Sequence, residues 1–149
     1  MGQESFRLGP PEPSLHPVDV GLRTEAHILS ELVRRGYKVL LPFGVNQRYD
    51  LVIDLDGRLL RAQCKTGRLL DRGVVEFRTT SVRTNTTEIL TRGYVGEIEL
   101  FLVYCPGNDQ IYAVPINDAP ATICCLRVSP SRNGQKERIR WARDYQLPG

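Results

Sequence analysis

The first 17 residues, MGQESFRLGPPEPSLHP, show no apolar period and hold four of the chain's ten prolines, which predicts a flexible leader ahead of one domain over 18–149. From Asp19 the pattern changes. Leu22, Ala26, Leu29 and Val33, with Leu32 alongside, recur at the spacing of one helix face, and the helix is expected to stop at Arg35-Gly36 with basic residues in its last turn. KVLLPF (38–43) reads as a short strand before the loop GVNQR. Two alternating segments follow, 49–55 and 58–66, joined by Asp56-Gly57, the dipeptide of a two-residue type I′ hairpin. VVEFRTT (74–80), IELFLVY (98–104) and QIYAVP (110–115) read as further strands, with TICCLRV (122–128) a weaker candidate. Residues 81–97 form a long polar excursion with room for one helical turn, and the tail GQKERIRWARDYQL reads as a short helix or an extended arm. One N-terminal helix followed by a mixed, mainly antiparallel sheet predicts an α+β domain with α/β/α-like layering.

The hairpin carries more than its fold requires. With Asp56 and Gly57 in the turn, Leu55 pairs with Arg58, and continuing that register sets Asp50 opposite Gln63 with Lys65 on the same face. The other face then collects Tyr49, Leu51, Ile53 and Leu55 with Leu60, Ala62 and Cys64, a set suited to a core. Glu25 falls on or beside the apolar stripe of the helix, where a carboxylate needs a partner. Taken singly, Asp50 reads as a strand-start residue, Lys65 as surface charge, Gln63 as an exposed strand residue and Glu25 as a helix-surface acid. Brought together, two carboxylates and an amide oxygen are hard ligands suited to Mg²⁺. A lysine beside them orients or deprotonates a water, or stabilises charge developing on a phosphate, which is the equipment of metal-assisted phosphodiester hydrolysis.

Composition adds a candidate partner. Among 149 residues, 41% are hydrophobic and 25% charged, as in an ordinary soluble domain of that length, and the net charge is only +3. Between Arg58 and Arg92, however, eight basic residues face three acidic ones, a net +5 that leaves the rest of the chain at −2. A basic segment of this kind suits a polyanion, although a solvated charged face gives the same count. Lys38, Lys65 and Lys136 are the three lysines among 20 basic residues, so each lysine stands out in an arginine-rich chain. Cys64, Cys105, Cys124 and Cys125 lack the C-x-x-C spacing of a zinc site and are expected as free thiols, the last two pointing to opposite faces of a strand. No apolar run approaches the roughly 18 to 20 residues of a membrane span, and the N-terminus lacks a secretory core, so a cytoplasmic, nucleoid-associated protein with no membrane partner is expected.

The order Glu25, Asp50, then Gln63-Cys64-Lys65 resembles the PD-(D/E)XK nuclease superfamily, in which a helix supplies a Glu, a strand start an Asp, and the next strand a (D/E)-x-K triplet. Two positions depart from the pattern: Tyr49 stands in place of Pro, and Gln63 in place of the acid. The Q-x-K form is similar to that of homing endonucleases encoded by group I introns and their bacterial and archaeal relatives, as is the stretch from YVGEIELFLVYCPGNDQIYAVPI to QKERIRWARDY, so that the likeness spans roughly residues 19 to 146. The resemblance implies a restriction-endonuclease-like core and a Mg²⁺-dependent DNA endonuclease, with Mn²⁺ as a substitute. It implies Glu25, Asp50 and Gln63 as metal ligands and Lys65 as the catalytic lysine. It implies double-stranded or branched DNA as substrate, a homodimer or homotetramer, and Arg48, Arg68, Arg72, Arg78, Arg83 and Arg92 as candidate DNA contacts. Archaeal Holliday-junction resolvases share the same layout, so a structure-selective resolvase is an alternative reading. Another is a non-catalytic DNA-binding module in which Gln63 marks a decayed site.

Overall fold

The computed structural model describes residues 2, 5–131, 133–134 and 137–148; Lys136 and part of the expected tail lie outside them. Helix α1 spans Pro17–Arg34, with Pro17 in its first turn and the His16 ring accepting the Val18 N–H. Gly36, at φ 85°, ends it as expected: its N–H reaches Val33 O and that of Tyr37 reaches Leu32 O, the paired bonds of a left-handed C-terminal cap.

The face that α1 buries is not the expected one. Thr24, Ile28 and Leu32 are buried, whereas Leu22 is 65% and Val33 58% exposed. The reason is a hydroxyl: Thr24 Oγ1 and Thr66 Oγ1 lie 2.6 Å apart, so a threonine sits inside the helix–sheet contact and turns the helix away from its most apolar stripe.

Strands β1 (Lys38–Leu40), β2 (Leu51–Leu55), β3 (Arg58–Thr66), β8 (Leu100–Cys105) and β9 (Gln110–Pro115) form one five-stranded sheet in the order β1-β2-β3-β8-β9. All its neighbours are antiparallel except β3 and β8, which run parallel. Between those two the chain builds a second sheet from β4 (Arg68–Leu70) and β5 (Val74–Arg78), later joined by β10 (Ile123–Arg127), and a separate ribbon of β6 (Ser81–Thr84) and β7 (Ile89–Arg92). Residues 81–92 of the polar excursion are thus a hairpin, and β4 is a strand whose three residues carry no readable period.

The main sheet is covered by α1 on one face and by the three-stranded sheet on the other. Ile28, Leu32, Leu51, Ile53, Ala62, Cys64 and Leu102 fill the first interface, and Val75, Phe77, Phe101, Val103, Cys124 and Leu126 the second. Gly67, where β3 passes into β4, fits a close approach of the two sheets: a Cβ there would lie 2.8 Å from Val75 Cγ1 and 3.0 Å from Val103 Cγ1. The four thiols are unbridged, and Cys124 is buried while Cys125 is half-buried, as alternation requires. Among its described residues the tail contributes the 3-10 turn Ala142–Asp144 and isolated bridges through Trp141 and Gln146. No described helix is long and apolar enough to cross a membrane.

Candidate active site

The hairpin β2–β3 turns as its sequence demands. Asp56 and Gly57 adopt φ 51° and 92°, the two positive values of a type I′ turn, and Leu55 pairs with Arg58 through to Leu51 with Ala62. At Asp50 the ladder departs from register. Its N–H bonds Ala62 O at 2.8 Å, and the Cys64 N–H, which a regular ladder would give to a backbone carbonyl, goes to Asp50 Oδ2 at 2.8 Å. The expected Asp50–Gln63 pair therefore lies one step beyond the ladder. The same break sends Tyr49 across the sheet, where it packs against the second core instead of joining Leu51 and Ile53 on the first.

Leaving the ladder aims Asp50 at a cleft of about 350 Å³ that it lines together with Glu25, Tyr49 and the loop between β1 and β2. Glu25 follows the buried Thr24 on α1, so its half-buried carboxylate emerges at the rim of the helix–sheet contact. Burial raises its pKa, and the charge of Asp50 raises it further. Asp50 is also raised, mainly by burial, although the bond from Cys64 N–H and the charge of Lys65 pull the other way. A positive charge beside these two half-buried acids would favour their ionised forms. Among the described residues no group of three His, Cys, Asp or Glu side chains stands ready to hold a metal.

Gln63 and Lys65 alternate with the buried Ala62 and Cys64 on β3 and share the face of Phe101 and Val103, their parallel neighbours on β8. The Gln63 amide nitrogen makes a single long contact, 3.5 Å to Cys64 O. Lys65 is held on two sides: its Nζ donates to Thr80 O at 3.0 Å and to the Tyr94 hydroxyl at 3.3 Å, with the Tyr94 ring centroid 5.0 Å away. Burial lowers its pKa to about 8, against the attraction of Asp50, and the nearby Arg48 and Arg78 push it in the same direction as burial. Tyr94 was not singled out from the sequence. Its one signal is that it is the lone aromatic in the polar excursion 81–97.

A family model described as PD-(D/E)XK endonuclease matches residues 15–148. The chain belongs to the PD-(D/E)XK endonuclease family. It is thus a nuclease, a hydrolase whose substrate is DNA. The solved structure of a bacterial homing endonuclease, I-Ssp6803I, shares its fold with a TM-score of 0.71 at 22% identity, over 88% of this chain and 88% of that one. No curated protein matches this endonuclease.

The basic residues of the endonuclease differ in how they are engaged. Arg48 is spent on the protein itself: Nε donates to Glu97, Nη1 to Ser81 Oγ at 2.8 Å and Nη2 to Gly93 O at 2.7 Å, with the guanidinium 4.1 Å above the Tyr94 ring. Arg92 pairs with the same Glu97, and Arg68 and Arg72 both reach Glu76, at 3.2 and 3.7 Å. Arg78 and Arg83 are exposed, and their side chains make no hydrogen bond or ion pair with another described residue. Arg78 lies close enough to Lys65 to lower its pKa.

Proposed function

We propose that this endonuclease cuts DNA with the help of a divalent cation, Mg²⁺ or Mn²⁺, in the manner of a homing endonuclease. The observation that carries the reading is the shared cleft of Glu25 and Asp50, with the charge of Lys65 felt at Asp50. Glu25 and Asp50 would hold the ion, with Gln63 supplying an amide oxygen from the next strand. When bound, it neutralises the two acids and withdraws electrons from the scissile phosphate. The remaining work belongs to the chain. Asp50, anchored by Cys64 N–H, keeps its carboxylate at the mouth of the cleft. Lys65, with its pKa near 8, orients the attacking water and takes its proton, or places charge beside the phosphate as the fifth bond forms. Arg78, Arg83 and Arg92 would lie along the DNA backbone or base edges.

The test is Lys65→Ala on duplex and four-way-junction DNA. Cleavage is expected to fall by about a thousandfold or more while DNA affinity stays within a few-fold, as for loss of a group that acts on the reacting atoms. Retained cleavage would refute the assignment of Lys65, and cleavage confined to junctions would replace the homing reading with a resolvase. Gln63→Glu examines the metal shell: activity is expected to persist or rise, because a carboxylate binds the cation more strongly than an amide. A second readout needs no cleavage. Ca²⁺ or Mn²⁺ should raise the melting temperature of the wild type and leave that of Asp50→Asn unchanged, since only a folded-state site couples binding to stability.

A further inference from the structure

Lys65 is gripped by the two feet of the β6–β7 ribbon. Thr80, whose carbonyl accepts from Nζ, immediately precedes β6, and Tyr94, whose hydroxyl accepts from the same Nζ, stands two residues after β7. The feet are bolted to each other. Arg48 ties Ser81, at the start of β6, to Gly93 beyond β7 and to Glu97, which also takes Arg92. The Tyr94 ring is 4% exposed and packs edge-on against Phe101, with centroids 5.6 Å apart. Beyond this base every residue from Val82 to Arg92 is exposed. Register sets Ser81, Arg83, Leu90 and Arg92 on one face of the ribbon and Val82, Thr84, Ile89 and Thr91 on the other. A two-stranded ribbon of this width fits the major groove of a duplex.

We infer that Tyr94 is a positioning residue that couples the seating of this arm on DNA to the placement of the catalytic lysine. The inference rests on the DNA-cleaving reading above. A tilt of the arm displaces Thr80, Tyr94 or both, and with them the ammonium. In the absence of DNA a ribbon with no packed face is held only at its base, so Lys65 inherits its motion. Bound in a groove, the arm is fixed along its length and the lysine is fixed with it.

Tyr94→Phe removes the hydroxyl and keeps the ring. At saturating DNA the single-turnover cleavage rate is expected to fall about tenfold, the worth of one hydrogen bond to a charged group, with the dissociation constant changed by less than about twofold. Replacing residues 84–89 with Asn-Gly shortens the arm while keeping a hairpin turn. DNA should bind more weakly, and the rate should stay reduced even after binding is saturated. Recovery of the wild-type rate at saturation would leave the arm as a simple affinity element and overturn the coupling.

A third measurement is independent of cleavage. With three lysines in the chain, ¹³C-lysine labelling resolves the Lys65 side chain by NMR. Its ε-CH₂ signal should lie away from those of exposed lysines in the wild type, return towards them in Tyr94→Leu, and move when duplex DNA is added to the wild type but not to the shortened-arm variant. A wild-type Lys65 signal already at the exposed-lysine position overturns the inference whether or not a cleaved substrate is in hand. The two readings separate cleanly. Lys65→Ala inactive with Tyr94→Phe unaffected sinks the coupling alone, whereas cleavage by Lys65→Ala sinks the catalytic reading beneath it.

Discussion

Two of the chain's hairpins, β2–β3 with five ladder pairs and β6–β7 with four, are used in opposite ways. In β2–β3, Leu51, Ile53, Ala62 and Cys64 face α1, and β1 and β8 flank the pair, so both its edges are bonded within the sheet. In β6–β7 four residue pairs stand with neither face packed and neither edge covered. An isolated two-stranded ribbon is at best marginally stable in water, so β6–β7 needs its base clamp of Arg48, Glu97 and Tyr94, whereas β2–β3 needs only its turn and its core. One hairpin is scaffold, and it carries Asp50 and Lys65. The other is an appendage whose feet meet that scaffold at Lys65.

The sharpest way to test that contrast is to truncate a leucine in each. Leu51→Ala, in a fully buried position, is expected to cost about 2–5 kcal/mol in urea unfolding, through lost transfer energy and the cavity left behind. Leu90→Ala, at a position 47% exposed, is expected to stay within about 0.5 kcal/mol. Equal costs would mean that the arm is packed in solution against something, another copy of the chain included.

The same contrast explains which parts of the structure were legible in the sequence. The β2–β3 hairpin was legible because three independent signals agree in it: an Asp-Gly turn, an alternating pattern, and a core that rewards one register. Its polar pair was misplaced by one step, because no periodicity reveals that Asp50 leaves the ladder to cap Cys64 N–H. The arm was read as polar excursion because alternation becomes visible only when one face is buried, and here neither is. On α1, counting apolar residues alone pointed to Leu22 and Val33, while the packed face includes Thr24, whose hydroxyl is matched by a residue 42 positions away. The parallel pairing of β3 with β8 was likewise beyond reach: it depends on where the intervening chain returns, not on either strand's pattern. Glu25 and Asp50 stood out together because a carboxylate on or beside an apolar stripe needs a partner, and the structure sets both on one cleft.

A smaller effect separates the arginines of the two regions. Arg83→Ala, on the arm, is expected to weaken DNA binding several-fold and to lower the slope of log affinity against log salt by about 1, as loss of one phosphate contact does. Arg61→Ala, within the β2–β3 hairpin, is expected to leave that slope unchanged. Its guanidinium is committed to Glu99, with Nη2 2.7 Å from Oε1 and Nε 3.0 Å from Oε2, and the pair is structural. Filter-binding or fluorescence titrations across a salt series report both slopes. If Arg61→Ala lowers the slope and Arg83→Ala does not, the arm is not the DNA-facing element.

The smallest effect concerns the stability cost of the site. Asp50 and Glu25 both have raised pKa values, so each favours folding at a pH below its unfolded value, and that contribution is lost as pH rises through the folded pKa. Lys65 has the opposite sign. Its pKa falls from 10.5 to about 8, so the unfolded chain binds the extra proton between those values, and stability rises with pH across that window. At neutral pH all three groups therefore weigh against the fold. Asp50→Asn removes one of them while keeping an oxygen for Cys64 N–H. It is expected to raise unfolding free energy at pH 7 by on the order of half a kcal/mol, reduced from a larger electrostatic value by solvent screening and by the lost attraction to Lys65. The gain should fade as pH falls through the ordinary aspartate value of about 4, below which the carboxyl becomes protonated in both states. A variant that loses cleavage yet melts higher at pH 7 and equally at pH 3.5 would show the site held against a local stability gradient, whereas destabilisation at both pH values would make Asp50 a structural cap of β3 before anything else.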